Sequence, residues 1–355
     1  MSKTYKTNWL QAAALASFLS VSACSVLGTD VETGRISSAD TSQCAQIRGM
    51  PGAEDIEADF ATGFVYVSSD DRRARQNNIR KNGAIYKLWV NGSAARVPEK
   101  MSGTENISRF HPHGISLFKD GDRTLLFVIS HDSPEDPSAN HKVHIFEVQG
   151  NHLRLVETIM DEGLRSPNDI AAVGPRQFYV TNDRKSLSGA GQSAEVLLGL
   201  AKSNVTYFDG RTTRIAADNI AFANGVRLSA DGSKLFVTAS RSGELIVYSR
   251  NPLTGKLMTK KRVPLGKIPD NISLAKNGDL WIAEQPSASA FLAHSKNPEK
   301  HSPFRIFTVN TVSYDRKIVF ESSGKAFSAA SVAVPINDRI LIGSVFEDGI
   351  LECIR

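Results

Sequence analysis

The sequence predicts an all-β fold, a six-bladed β-propeller whose ring is closed by its N- and C-terminal strands. Three observations predict it. A hairpin pattern recurs six times, its turns fall at 58, 53, 58, 46 and 59 positions from one another, and two cysteines, Cys44 and Cys353, bracket the repeats. Spacings of this size match propeller blades, small antiparallel sheets that each bury a face against the next around an axis.

The hairpins run in order as EDIEADFATGFVYVSS (54–69), HGISLFKDGDRTLLFVIS (113–130), NDIAAVGPRQFYVTN (168–182), FANGVRLSADGSKLFVT (222–238), DNISLAKNGDLWIAE (270–284) and ASVAVPINDRILIGS (330–344). The fourth is the plainest. Alternating Val226–Leu228 meets the tight turn Asp231-Gly232, and Lys234–Thr238 returns with the same period. The other turns fall at Gly63, Gly121, Gly174, Gly278 and Asn337.

Residues 1–23 carry Lys3 and Lys6, an apolar run from Leu10 to Val21, and small residues ahead of Cys24, the layout of a signal peptide too short to favour a membrane span. Val21-Ser22-Ala23-Cys24 also has the form of a lipoprotein box, which makes Cys24 a lipidation site and residues 24–43 a flexible, lipid-anchored tether. The competing reading is an ordinary secretory signal with an incidental cysteine. Either way an exported protein is expected, attached to a membrane if Cys24 is lipidated. The full chain has a formal charge of +5, and loss of Lys3 and Lys6 leaves +3, so charge gives no support to nucleic-acid binding. No obligate protein partner is expected. Residues 44–355 suffice for one large domain. In an oxidising compartment Cys44 and Cys353 can join first strand to last; two buried free thiols are the alternative.

Each hairpin begins with a polar or ionisable residue six to nine positions before its turn: Glu54 and Asp55, His113, Asn168 and Asp169, Asn224, Asp270 and Asn271, and Ser331. Equivalent blades place these at one level of six innermost strands, around the axis. Asn-Gly and Asn-Asp form turns anywhere, so one of them alone signifies only a turn. Their common phase is what turn formation does not require. Carboxylate and amide oxygens in such number, without sulfur, suit a hard cation, and the ligand number favours Ca²⁺ over Mg²⁺ or Zn²⁺.

Three connecting segments bear on a site. DDRRARQNNIRKNG (70–83) holds five basic side chains; it is either a solvated loop or one that overhangs the axial mouth and attracts anions. Residues 194–208 read as a short helix or lid entering a strand. Residues 287–304 read as a long loop whose Phe291 and Leu292 line a pocket, with His294 and His301 at the surface.

The segments GAEDIE, FHPHGIS, SPNDIAAVGPRQFYVTND, FANGVRLSADG and DNISLAKNGDLW resemble, in order and interval across 44–355, the paraoxonase/arylesterase family. The resemblance implies a six-bladed propeller with a central tunnel holding two calcium ions. It implies that Glu54, Asn168, Asn224, Asp270 and Asn271 bind a catalytic ion, and that Asp55, Asp169 and the backbone carbonyl of Ile115 bind a structural one. It further implies a proton-handling pair, His113 and His131, and a Cys44–Cys353 disulfide. Three departures put substrate choice in doubt. Arg184 follows TND where a histidine is frequent, Gln285 stands where animal members carry a pocket histidine, and the 70–83 loop lacks their mouth-lining tyrosine and leucine.

The expected activity is calcium-dependent hydrolysis of small-molecule esters, lactones and aryl esters foremost. His113 serves as general base and His131 as its relay, although Asp270 or Glu54 can fill the base's role instead. No G-x-S-x-G elbow supports a serine nucleophile. A gluconolactonase-type propeller lactonase and a non-enzymatic, calcium-stabilised binding propeller are the alternatives.

Overall fold

The computed structural model describes residues 44–355 other than 78, 80, 91–95, 132–140, 187 and 188. The signal peptide, Cys24 and the tether lie outside the described residues. Six four-stranded antiparallel sheets make up the fold. The first blade comprises Ala53–Asp59, Phe64–Ser69, Ala84–Trp89 and Glu99–Lys100, and the next four also take consecutive strands. The sixth combines Ala330–Ile336, Arg339–Ser344 and Asp348–Ile354 with the N-terminal strand Cys44–Pro51 on its outer edge. Each innermost strand packs on that of the next blade, and the sixth returns to the first. The ring closes as the cysteine positions predict.

Cys44 lies opposite Cys353 in the closing strand pair, and the two are disulfide-bonded across 309 positions. A loop that long removes denatured-state entropy worth on the order of 5 kcal/mol in the chain-entropy model.

The core is divided among the seams between blades. One seam joins Ile56, Val65 and Val67 to Val332, Val334 and Leu341; another joins Phe127 and Ile145 to Phe178 and Val180. The alternation read from the hairpins therefore buries one face of each sheet against the preceding blade and the other against the following one. The hairpin turns fall where predicted, with positive φ at Gly63, Gly121, Gly232, Gly278 and Asn337, while Gly174 turns without it.

Six register irregularities position the site. Every innermost strand slips against its neighbour near its entrance: between Ala53 and Asp55, Pro112 and Ile115, Pro167 and Ile170, Ala223 and Val226, Pro269 and Ile272, and Ala330 and Val332. A bulge twists a strand and re-aims its side chains. Here it does so at the predicted entrance residues. The backbones approach closely enough to require glycine: a Cβ on Gly114 would lie 2.6 Å from the Asn168 carbonyl oxygen, and one on Gly225 would lie 2.8 Å from that of Asp270.

Among the described residues three helices decorate the ring: α1 (Arg72–Gln76), α2 (Gly189–Leu198) and α3 (Ala288–Lys296). Helix α2 followed by strand Ser203–Phe208 matches the reading of 194–208. The 287–304 segment differs from expectation, since half of it is α3, N-capped by the Ser287 hydroxyl. His294 is buried rather than superficial, because the helical period sets it inward on the same side as Phe291. Its Nδ1 donates to the Lys300 carbonyl at 2.5 Å, its Nε2 accepts from Arg73 at 3.0 Å, and Glu347 lies 3.2 Å from that Nε2. Phe291 packs on Phe346, and Leu292 is exposed. His301 is exposed, as expected.

Candidate active site

The innermost strands bring buried polar groups from all six blades together. Asn271 donates to Glu54 Oε1 at 3.0 Å, Asn224 donates to Asp270 Oδ1 at 2.8 Å, and the Ser331 hydroxyl donates to the Glu54 backbone carbonyl at 2.6 Å. Ser331 therefore buttresses the cluster through a backbone bond. Asp55 Oδ2 accepts from the Ile115 amide at 2.8 Å, and Asp169 accepts from the amides of Val226 and Ile170, each at 2.7 Å. Ile115 thus reaches Asp55 through its N–H. Asp169 and Asp55 also lie in the field of the partly buried Arg227, which is ion-paired with Glu57.

Four unsatisfied atoms characterise this cluster. Among the described residues, five buried side-chain oxygens have no hydrogen-bond partner: Ser68 Oγ, Glu54 Oε2, Asn168 Oδ1, Asn224 Oδ1 and Asn271 Oδ1. The last four belong to the set expected to bind one cation. A buried acceptor left without a donor costs about 1–3 kcal/mol, so four in one place mark a site built for an electrophile. Their oxygens, hard and partly neutral, fit Ca²⁺. Among the described residues no group of three or more His, Cys, Asp or Glu side chains forms a metal site; the mixed carboxylate and amide set is of a different kind.

The carboxylates report the same need. Burial, then the charges of Asp169, Glu54 and Glu57, pushes the Asp55 carboxyl well above the usual range. Burial raises Asp169 and Asp270 likewise, with Glu54 adding repulsion in both cases. Burial also pushes Glu54 upward, but His113, Arg72 and the Asn271 amide outweigh it and hold its carboxyl below the ordinary range. Burial and mutual repulsion of this kind are what a bound cation would relieve.

The histidines form a chain at the edge of this cluster. His113 Nε2 lies 3.4 Å from Glu54 Oε2, an ion-pair separation without hydrogen-bond geometry. His113 Nδ1 bonds His131 Nε2 at 2.8 Å, and His131 Nδ1 bonds His141 Nδ1 at 2.9 Å. His113 lies in the bulge of one strand, His131 ends the next, and His141 begins the third, directly opposite His131. Burial and the neighbouring His113, His141, Arg72 and Arg75 push the His131 imidazole well below its ordinary range, so it is neutral at neutral pH. The predicted pair is therefore part of a hydrogen-bonded chain of three imidazoles. His141 escapes a reading by motif, and the signal for it was strand pairing: the segments on either side of 132–140 align residue 131 with residue 141.

These histidines line a cavity of about 270 Å³. Its wall includes Arg72 and Arg75 of α1, and Gln192 of α2. The 70–83 loop thus reaches the mouth. Arg73 fixes α1 there, donating to the carbonyls of Phe346 and His294 at 2.9 and 2.8 Å. Arg184 also lines the cavity, held by Asp183 at 2.9 Å. Gln285 does not; it is buried against the Ala330 carbonyl. Neither Phe291 nor Leu292 contributes to this wall, since α3 directs them elsewhere.

The fold and site define a six-bladed propeller with an axial oxygen cluster beneath a histidine-lined cavity. The arylesterase family model matches residues 36–353. The chain is 33% identical to serum paraoxonase/arylesterase 1 of Rattus norvegicus over 86% of this chain and 87% of that one. It is 30% identical to serum paraoxonase/arylesterase 2 of Bos taurus over 88% of each. The chain belongs to the arylesterase family. Among solved structures, the calcium-binding protein regucalcin from Agrobacterium tumefaciens aligns with a TM-score of 0.51 at 12% identity, covering 86% of this chain and 90% of that one, a likeness of fold.

Proposed function

We propose that this protein is a calcium-dependent hydrolase of carboxylic esters, with lactones and aryl esters as its principal substrates. One observation carries the reading: Glu54, Asn168, Asn224 and Asn271 each hold an orphaned acceptor oxygen, and that of Glu54 lies 3.4 Å from His113 Nε2. With Asp270, these residues would hold one ion; Asp55, Asp169 and the Ile115 carbonyl would hold a second. Bound calcium supplies polarisation of the substrate carbonyl and stabilisation of the oxyanion formed when that carbonyl is attacked.

The chain's own residues manage the proton. One tautomer set lets each imidazole donate to the next, from His113 Nδ1 to His131 Nε2 and from His131 Nδ1 to His141 Nδ1. That set leaves His113 Nε2 as the acceptor on the Glu54 side, where it takes a proton from the attacking water. A neutral His131 keeps His113 oriented and passes charge outward without trapping it. The disulfide fits an exported protein, and attachment to a membrane through Cys24 completes the proposal.

A panel of aliphatic lactones varied in ring size and acyl length, together with phenyl acetate, tests this reading. Hydrolysis of at least one member is expected with calcium, none after chelation, and recovery when calcium is restored. Calcium-dependent thermal stability without hydrolysis of any member would favour a binding module.

A further inference from the structure

The cavity above the histidine relay is strongly cationic. Arg72, Arg75, Arg165 and Arg184 all line it, against the carboxylates of Asp70 and Asp183. Four guanidinium groups facing two carboxylates leave two positive charges in excess. Both carboxylates are already engaged: Asp70 with Arg75 and with His111 at 2.9 Å, and Asp183 with Arg184 and the Ser166 hydroxyl. Two guanidinium groups are uncommitted by comparison. Arg165 makes no side-chain hydrogen bond or ion pair among the described residues, and Arg72 donates only to the Val345 carbonyl, at 3.4 Å. In the calcium-loaded protein the axial carboxylates are balanced by the ions they hold, so they do not cancel this ring.

We infer that the mouth selects esters and lactones that carry a carboxylate remote from the scissile carbonyl, with Arg165 and Arg72 receiving that carboxylate. This rests on the hydrolase reading above and names the substrate class of the same site. The scissile carbonyl enters beside His113 while the anionic end stays at the rim, where a planar guanidinium matches a carboxylate in two-point geometry. A cavity of about 270 Å³ restricts the substrate to a small molecule. A loop and a helix supply Arg72, Arg75 and Arg184, so the wall can be cationic without disturbing the propeller beneath.

The test compares 4-acetoxybenzoate with methyl 4-acetoxybenzoate, which present the same acetyl group and differ in charge. In each, water forms the new bond to the acetyl carbon as the bond to the phenolic oxygen breaks, releasing acetate and the phenol. The kcat/KM values, each divided by the rate in buffer, are expected to favour the anion by about tenfold at low salt and to converge at high salt. Arg165→Gln is expected to reduce that preference about fivefold, and Arg165→Lys to retain most of it. Binding of 4-hydroxybenzoate and 4-hydroxybenzamide to the calcium-loaded protein is followed by calorimetry in parallel. Tighter binding of the benzoate, weakened in Arg165→Gln, upholds the anion site even if neither ester is hydrolysed; if the lactone panel is inert as well, the hydrolase reading fails alone. Turnover of both esters without a preference, or a preference unmoved by Arg165→Gln, overturns the inference and leaves the hydrolase reading standing.

Discussion

Removal of calcium is expected to lower the melting temperature by about 5–10 °C and to abolish hydrolysis. Each ion that binds only the folded state stabilises by about 2.7 kcal/mol at a hundredfold excess over Kd, so two give about 5 kcal/mol, and a domain of more than about 250 residues shifts by roughly 1.5–2 °C per kcal/mol. The cause lies in the axial carboxylates. Without cations, Asp55, Asp169 and Asp270 are buried and mutually repelled, and the oxygens of Glu54, Asn168, Asn224 and Asn271 have no electrophile.

The penalty also depends on pH, with a definite sign. Asp55, Asp169 and Asp270 have folded-state pKa values above their unfolded value of about 3.9, so the calcium-free folded state binds more protons than the unfolded chain. Their contribution is fully present below that value and is lost as pH rises through the raised ones. His131, depressed in the fold, acts oppositely: its contribution is present above about pH 6.5 and is lost as pH falls through its folded value. It acts in loaded and chelated samples alike, so it drops out of their difference. The stability gap between calcium-saturated and chelated protein is therefore expected to widen from about pH 5 to about pH 8. Paired thermal melts measure it, and a gap that narrows over that range contradicts the assignment.

The second large effect is kinetic. Replacing His113 with Gln is expected to lower kcat for both lactones and aryl esters by about 10²–10⁴-fold, with calcium content and melting temperature unchanged. Glutamine keeps the reach and a hydrogen-bonding end but cannot accept and return a proton at neutral pH. The side chain is partly exposed at the cavity, so its loss leaves no hole in the core. Undiminished rates for both substrate types would remove His113 from the mechanism and shift attention to Glu54 or Asp270 as the base.

Much of the ring was legible in the sequence because each blade repeats one physical instruction, an alternating hairpin with a fixed turn. The axial cluster was legible for a related reason. Glu54, Asn168, Asn224 and Asp270 stand at one phase of that repeat, and phase becomes position once the blades close. The bulges that turn these residues inward have no counterpart in the sequence reading. What the sequence left unread lies in the connections. His294 looked superficial because polar and charged residues flank it, although its helical spacing from Phe291 packs both against Phe346 and buries the histidine. His141 sits in no repeat of the entrance motif, and only strand register brings it to His131. Arg165 lies just ahead of SPNDIA, where nothing in the pattern indicates that its side chain borders the cavity. Loops carry no periodicity, and a residue's place in a site wall depends on where the loop lies.

The central claim is that oxygens from separate blades hold calcium on the axis. Its most direct test is the calcium content of the purified protein, counted by elemental analysis after gel filtration, beside that of Asn168→Ala and Asp169→Asn variants. The account predicts two ions per chain in the native protein and loss of one in each variant, with activity lost in the first. A native protein that retains no calcium while hydrolysing esters at full rate would contradict it.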